Sequence, residues 1–231
     1  MSDAPKRSER SRDERSGFNQ KTVLITFGIA TVLFILIAAD VVSAGGPTLI
    51  DARISGWLHS HGTLELTTFL YWVSKLHSNS SITILTFAIA VYLWALHLRY
   101  WILTLAISVF GGMLLNVLLK LLFARARPHF DNPIVILRTF SFPSGHTLLS
   151  TVFYGTLCIL AVSRTRNRAL RPVVVLLAML MIGLVGFSRM YLGAHYLTDV
   201  LGAMIEGTAW IMFSLLVTGI IHGRNQPIRT S

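Results

Sequence analysis

Six apolar stretches, each near the length of a membrane crossing, constrain this chain more than any other feature. They run near Thr22–Val42, Ile82–Leu98, Trp101–Phe123, Thr147–Val162, Val173–Phe187 and Tyr196–Ile221. A hydrocarbon core about 30 Å thick takes about 20 apolar residues of helix to cross. Only 13% of the 231 residues are charged, against about 25% in an ordinary soluble domain. The first 21 residues hold six Lys/Arg and four Asp/Glu, leaving twenty charges for the 210 that follow. A water-soluble globule could not cover its surface with so few. The pattern predicts an all-α, polytopic membrane protein with six transmembrane helices. It excludes a soluble enzyme and a nucleic-acid-binding module, despite a net charge of +10.

The basic residues fall in short connections, where they act as orientation signals. With the N-terminal tail inside, the inner segments carry 13 Lys/Arg and the outer segments seven. Both termini are therefore expected in the cytoplasm. Residues 1–21 read as a basic, disordered cytoplasmic tail, 22–222 as the membrane domain and 223–231 as a second cytoplasmic tail. The first run competes with a secretory signal, but it is longer than the roughly 7–15 apolar residues of such signals and reads as a retained helix. Between the first two spans, Leu64–Leu76 mixes Leu66, Phe69, Leu70, Tyr71, Trp72 and Val73 with Glu65, Thr67, Thr68 and Lys75. That pattern predicts an interfacial amphipathic helix. The single cysteine, Cys158, lies in an apolar run and allows no intramolecular disulfide.

Ionisable groups at membrane depth cost about 2.5–3.5 kcal/mol each near a helix centre and mark function by default. Three clusters qualify. Lys120 to Arg127-Pro128 ends the third span, Phe142-Pro143-Ser144-Gly145-His146 opens the fourth, and Ser188-Arg189 through His195 to Asp199 bridges the fifth and sixth. Odd spans exit and even spans enter, so all three clusters fall on one face, the outer one.

Lys120, Arg127 and Arg189 supply permanent cations, two of them with planar forks suited to phosphate oxygens. Ser144 adds a hydroxyl, Gly145 lets backbone approach a ligand, and a helix N-terminus favours an anion. These features describe a site for a tetrahedral oxyanion. His195 and Asp199, four apart, would share one helix face. The carboxylate would orient the imidazole and raise its basicity, placing His195 to attack phosphorus and leaving His146 as general acid. Singly, each feature also has a plain reading: snorkelling anchors for the cations, a turn for Pro143-Ser144-Gly145, a satisfied polar pair for His195 and Asp199.

Lys120-x6-Arg127-Pro128, Pro143-Ser144-Gly145-His146 and Ser188-Arg189-x5-His195-x3-Asp199 resemble, in order, the three signature motifs of the type-2 phosphatidic acid phosphatase superfamily, in its bacterial membrane branch. The resemblance spans residues 120–199. It implies metal-independent dephosphorylation of a lipid phosphate without a cofactor, through a phosphohistidine on His195. His146 would be the acid, Asp199 the orienter, and Lys120, Arg127, Ser144, Gly145 and Arg189 the phosphate holders. Undecaprenyl pyrophosphate, phosphatidylglycerophosphate, phosphatidic acid and diacylglycerol pyrophosphate all fit, the polyprenyl diphosphate ranking first on the short chain and the extra arginines; Arg125 and Arg138 read equally as contacts to a second phosphate and as ordinary surface charge. A lipid phosphotransferase using the same site, and a non-catalytic anion or lipid transporter, are the alternatives. The oligomeric state stays open. His59 and His61 lack further ligands for a metal and read as loop residues; His77 and His97 read as interfacial. Glu206 reads as bonded to a polar side chain on a neighbouring helix, with Asn116 the nearest choice.

Overall fold

The computed structural model describes residues 19–131, 133–135 and 137–224, and the ends of both expected tails lie outside them. Among the described residues the chain is all helix, with no strand: α1 (Gln20–Ser43), α2 (Leu49–Ser60), α3 (Leu64–Leu76), α4 (Asn79–Ala95), α5 (Arg99–Phe123), α6 (Gly145–Arg164), α7 (Arg171–Tyr191) and α8 (Leu197–Arg224). Five of these spans, α7 with the short 3-10 turn before it, are long and apolar enough to cross a bilayer. A sixth arises only if α3 and α4, bent by 52° at their junction, count as one broken span.

Two expectations change between the first two apolar spans. The expected interfacial helix forms over Leu64–Leu76, but a further helix, α2, precedes it. Thr48 and Asp51 start α2 as a capping box, each side chain bonded to the other's backbone N–H; this satisfies two of the amides that a helix start leaves unpaired. The second span, α4, has 17 residues, at the short end for a crossing, and gains length if its bent partner α3 is counted with it. At the N-terminus, α1 takes in Gln20 and Lys21, which the sequence pattern left to the tail.

The long helix α8 packs along α1 and α6, and α6 lies between α7 and α8. Ile82, Leu105, Val109, Leu148, Val152, Ala203 and Ile211 form the main buried cluster. Within α5, residues Ile107–Gly111 make a π-turn. The indole of Trp210 donates to the Ile107 carbonyl at 3.0 Å. It lies so close that a Cβ on Gly111 would sit 2.6 Å from its ring, so only glycine fits. Such a turn shifts the facing of every residue after it, including Asn116 and Lys120.

Residue Ala124 ends α5 in the left-handed region (φ 44°) and turns the chain sharply into the 124–144 loop. Phe142 anchors the far end of that loop. It is fully buried, stacked on Phe34 at 5.8 Å and edge-on to Phe123 at 5.1 Å. Aromatic contacts of this kind contribute about 0.5–1.5 kcal/mol each beyond burial.

Candidate active site

The three sequence clusters meet at the 139–141 backbone. Lys120, in the last turn of α5, donates to the carbonyls of Phe140 (2.6 Å) and Ser141 (3.1 Å). Arg127 spreads its fork over Thr139 and Phe140, with Nε to Thr139 O at 2.6 Å and Nη2 to Thr139 Oγ1 at 2.8 Å and Phe140 O at 3.1 Å. Its Nη1 donates to Ala194 O at 2.6 Å and lies 3.2 Å from His195 Nε2. The Ser144 amide donates to the Asp199 carbonyl at 3.1 Å, tying the start of α6 to α8.

His195 and Asp199 meet by a different route from the one their spacing suggests. The helix α8 begins at Leu197, so His195 lies in the preceding turn, where its backbone N–H donates to Arg189 O. Asp199 is the third residue of α8, and its Oδ2 accepts from the Tyr196 amide at 2.9 Å, half of a capping box. The same oxygen lies 3.5 Å from His195 Nδ1. Ser141, which sequence reasoning missed, joins them: its Oγ donates to Asp199 Oδ2 at 2.5 Å and lies 3.4 Å from Nδ1. One ring nitrogen thus faces a carboxylate and the other a guanidinium. Burial, offset by the bond to Asp199 and reinforced by Arg127, pushes the His195 pKa down to about 3 and keeps the ring neutral. Burial also lowers the Arg127 pKa against the pull of Asp199.

The remaining predicted residues surround this pair. The Arg189 side chain is buried and donates through Nη1 to Ser74 Oγ on α3, leaving its Nε unpartnered. His146, in the first turn of α6, is near enough to Arg189, His195, His77 and Arg127 for their charges to act on it. Gly145 packs against Asn116 and Lys120, and a Cβ there would approach Asn116 Oδ1 to 3.1 Å. Ser144 is fully buried, and its hydroxyl pairs with Thr147 Oγ1 at 3.0 Å.

Several side readings are corrected. Arg125 is neither ordinary surface charge nor a contact for a second phosphate. It is buried, with Nη1 2.6 Å from Asp199 Oδ1 and Nη2 2.7 Å from Asp51 Oδ2. Burial works against its charge, but Asp199 and Asp51 outweigh it and hold its pKa above the usual arginine value. His77, at the end of α3, is buried and bonded to Val73 O and to Tyr154 OH. Glu206 lies beside Asn116 as expected, yet neither carboxylate oxygen has a partner in hydrogen-bond geometry, and the Asn116 amide donates to Pro143 O at 3.4 Å instead. His59 stacks on Phe130 and His61 on Trp57.

A helical membrane bundle whose connections bring two imidazoles, a carboxylate and three cations to one end defines a class, the polytopic helical membrane proteins with a cation- and imidazole-lined site. The chain belongs to the PAP2 superfamily, whose profile matches residues 99–221, more than half of its length. It is 35% identical over 133 residues to phosphatidylglycerophosphatase B of Bacillus subtilis (strain 168), a match covering 57% of this chain and 62% of that protein. It is 32% identical over 111 residues to undecaprenyl-diphosphatase BcrC of the same organism, covering 46% of this chain and 52% of that one. The matches thus span between about half and three fifths of these relatives' own lengths. Its fold is similar to that of the transmembrane PAP2 type phosphatidylglycerolphosphate phosphatase from Bacillus subtilis, with a TM-score of 0.72 at 25% identity, covering 88% of this chain and 99% of that one. Aquifex aeolicus LpxE shares the fold alone, with a TM-score of 0.55 at 19% identity over 77% of this chain and 96% of that one.

Proposed function

We propose that the chain is an integral membrane lipid phosphatase that hydrolyses the terminal phosphate of a lipid phosphate or diphosphate. The observation that carries this reading is the His195 imidazole, with Nδ1 toward Asp199 and Ser141 and Nε2 toward Arg127. A site that only bound an anion has no use for a neutral imidazole oriented by a carboxylate, which disfavours a transporter.

His195 Nε2 attacks phosphorus, and the bond from phosphorus to the leaving oxygen breaks as His146 protonates that oxygen. Asp199 holds the Nδ1 proton and stabilises the charge that the ring acquires. Lys120, Arg127 and Arg189 stabilise the equatorial oxygens, the main source of catalysis in phosphoryl transfer. His146 then takes a proton from water, whose oxygen attacks phosphorus; the P–N bond breaks, its electrons return to Nε2, and orthophosphate leaves. Gly145 lets the start of α6 approach the phosphate, and the buried Ser144 hydroxyl orders that turn through Thr147.

The Lys/Arg asymmetry supports an inner-membrane, multi-pass protein with both termini in the cytoplasm and the site on the outer face, α3 and α4 serving together as the second crossing. The substrate keeps its tail in lipid while its headgroup enters the cation cluster. Arg125 no longer argues for a diphosphate, because two carboxylates already engage it, so phosphatidylglycerophosphate and undecaprenyl pyrophosphate stand level. Purified protein in detergent, given these two lipids, phosphatidic acid and diacylglycerol pyrophosphate, should release orthophosphate from at least one. Transfer of label to an acceptor lipid without free phosphate would favour the phosphotransferase instead.

A further inference from the structure

The motif residues explain an imidazole that meets a carboxylate, but not what stops that carboxylate from turning away. Asp199 divides its two oxygens. Oδ2 serves the His195 side, accepting from Ser141 Oγ and the Tyr196 amide. Oδ1 is taken by Arg125 Nη1 at 2.6 Å. Arg125 is in turn fixed at several points: Nη2 to Asp51 Oδ2 at 2.7 Å and to Gly46 O at 3.3 Å, Nη1 to Thr198 Oγ1 at 2.7 Å, and its plane 4.7 Å over the Tyr196 ring. Asp51 also accepts from the Thr198 amide at 3.0 Å and the Thr198 hydroxyl at 2.7 Å. Asp51 and Asp199 are fully buried.

We infer that Asp51 and Arg125 are positioning residues that lock the Asp199 carboxylate toward His195 and make helix α2 part of the catalytic scaffold. The inference rests on the phosphohistidine reading above. Arg125 bridges two carboxylates in a dry setting, where each charge-assisted bond is short and directional. Rotating Asp199 about its side-chain axis would break the bond to Arg125 and leave a buried charge short of a partner. Asp51 has a second effect. By sharing Arg125 it limits how far that cation neutralises Asp199, so the carboxylate remains a strong acceptor for the imidazole. Lys120, Arg127 and His146 also lie near His195, and these are the same in every variant below.

The test uses full-length protein in detergent with whichever of the four lipids above the wild type hydrolyses fastest, comparing Asp51→Asn, Arg125→Lys and Arg125→Met with His195→Gln as a control. Misplacing a catalytic group by about 1 Å can cost about a hundred-fold in rate, so Asp51→Asn and Arg125→Lys should lower kcat about ten- to a hundred-fold with KM within about two-fold. Arg125→Lys should retain more activity than Arg125→Met. The acid limb of kcat against pH separates positioning from mere stability. Losing the Arg125 charge leaves Asp199 more negative and should move the limb to higher pH. Losing the Asp51 charge gives Arg125 wholly to Asp199 and should move it to lower pH. A structural loosening would shift both the same way, and that result, or wild-type kcat in Asp51→Asn, would overturn the inference even with His195→Gln inactive. Wild-type turnover in His195→Gln would instead remove the mechanism on which the inference stands.

Discussion

Arg127→Ala tests the proposed phosphate cluster at the residue that joins its parts. The guanidinium makes four bonds to the 139–140 segment and to Ala194, and points Nη1 at His195 Nε2, the atom proposed to attack phosphorus. A donor aimed at charge that develops in the transition state is worth about 2.7–4 kcal/mol, or 10²–10³ in kcat. Alanine should therefore cut kcat by about two to three decades at 1.36 kcal/mol per decade. Lysine keeps the charge but only one point of contact, so Arg127→Lys should fall between, near ten-fold. The lost loop bonds, at about 1 kcal/mol net each, predict a lower thermal midpoint as well. Orthophosphate release from detergent-solubilised lipid phosphate gives kcat, and gel filtration reports whether each variant stays monodisperse. A monodisperse Arg127→Ala protein with kcat within three-fold of wild type would refute the reasoning.

Ser141→Ala removes the 2.5 Å bond to Asp199 Oδ2 and should lower kcat by about five-fold to somewhat over a hundred-fold, since a buried acceptor on a charged group loses about 1–3 kcal/mol; unchanged kcat would make Ser141 a bystander. His195 is held neutral by burial, its pKa pushed down to about 3, below the unfolded value of about 6.5. The unfolded chain therefore takes up this proton first as pH falls, so the neutral ring's contribution to stability is full above about pH 6.5 and is lost progressively toward pH 3. Thermal midpoints measured between pH 7.5 and 4.5 should fall less steeply in His195→Gln than in wild type, and equal slopes would contradict this. The proposed steps use only side chains of this chain, so a chelator should leave the phosphate-release rate unchanged; a clear loss restored by added metal would count against them.

The spans and the motif residues were legible because apolar length and unusual polar spacing are both local signals. The helix pattern over 64–76 matched to the residue because its amphipathic face is complete within thirteen positions. The contribution of Asp51 was not legible, because it lies 74 residues from Arg125 and 147 from Thr198, and no periodicity links them. One clue was available: Thr48-Leu-Ile-Asp51 has the spacing of a capping box and marks the start of α2. The spacing of His195 and Asp199 gave the right contact for the wrong reason. Four residues apart on a helix brings side chains together, but so does a turn followed by a carboxylate at the third helical position. Ser141 and Ser74 carried no signal, since an isolated serine reads the same on a surface as against a buried carboxylate or guanidinium.

The central claim is a covalent bond between phosphorus and His195. Rapid acid-free quenching of wild-type protein mixed with the lipid phosphate it hydrolyses fastest, ³²P-labelled in its terminal phosphate, followed by alkaline denaturation and peptide mapping, tests it most directly. The account predicts alkali-stable, acid-labile label on the peptide that contains His195, and none in His195→Gln. Label on another residue, or label of equal amount in His195→Gln, would contradict it.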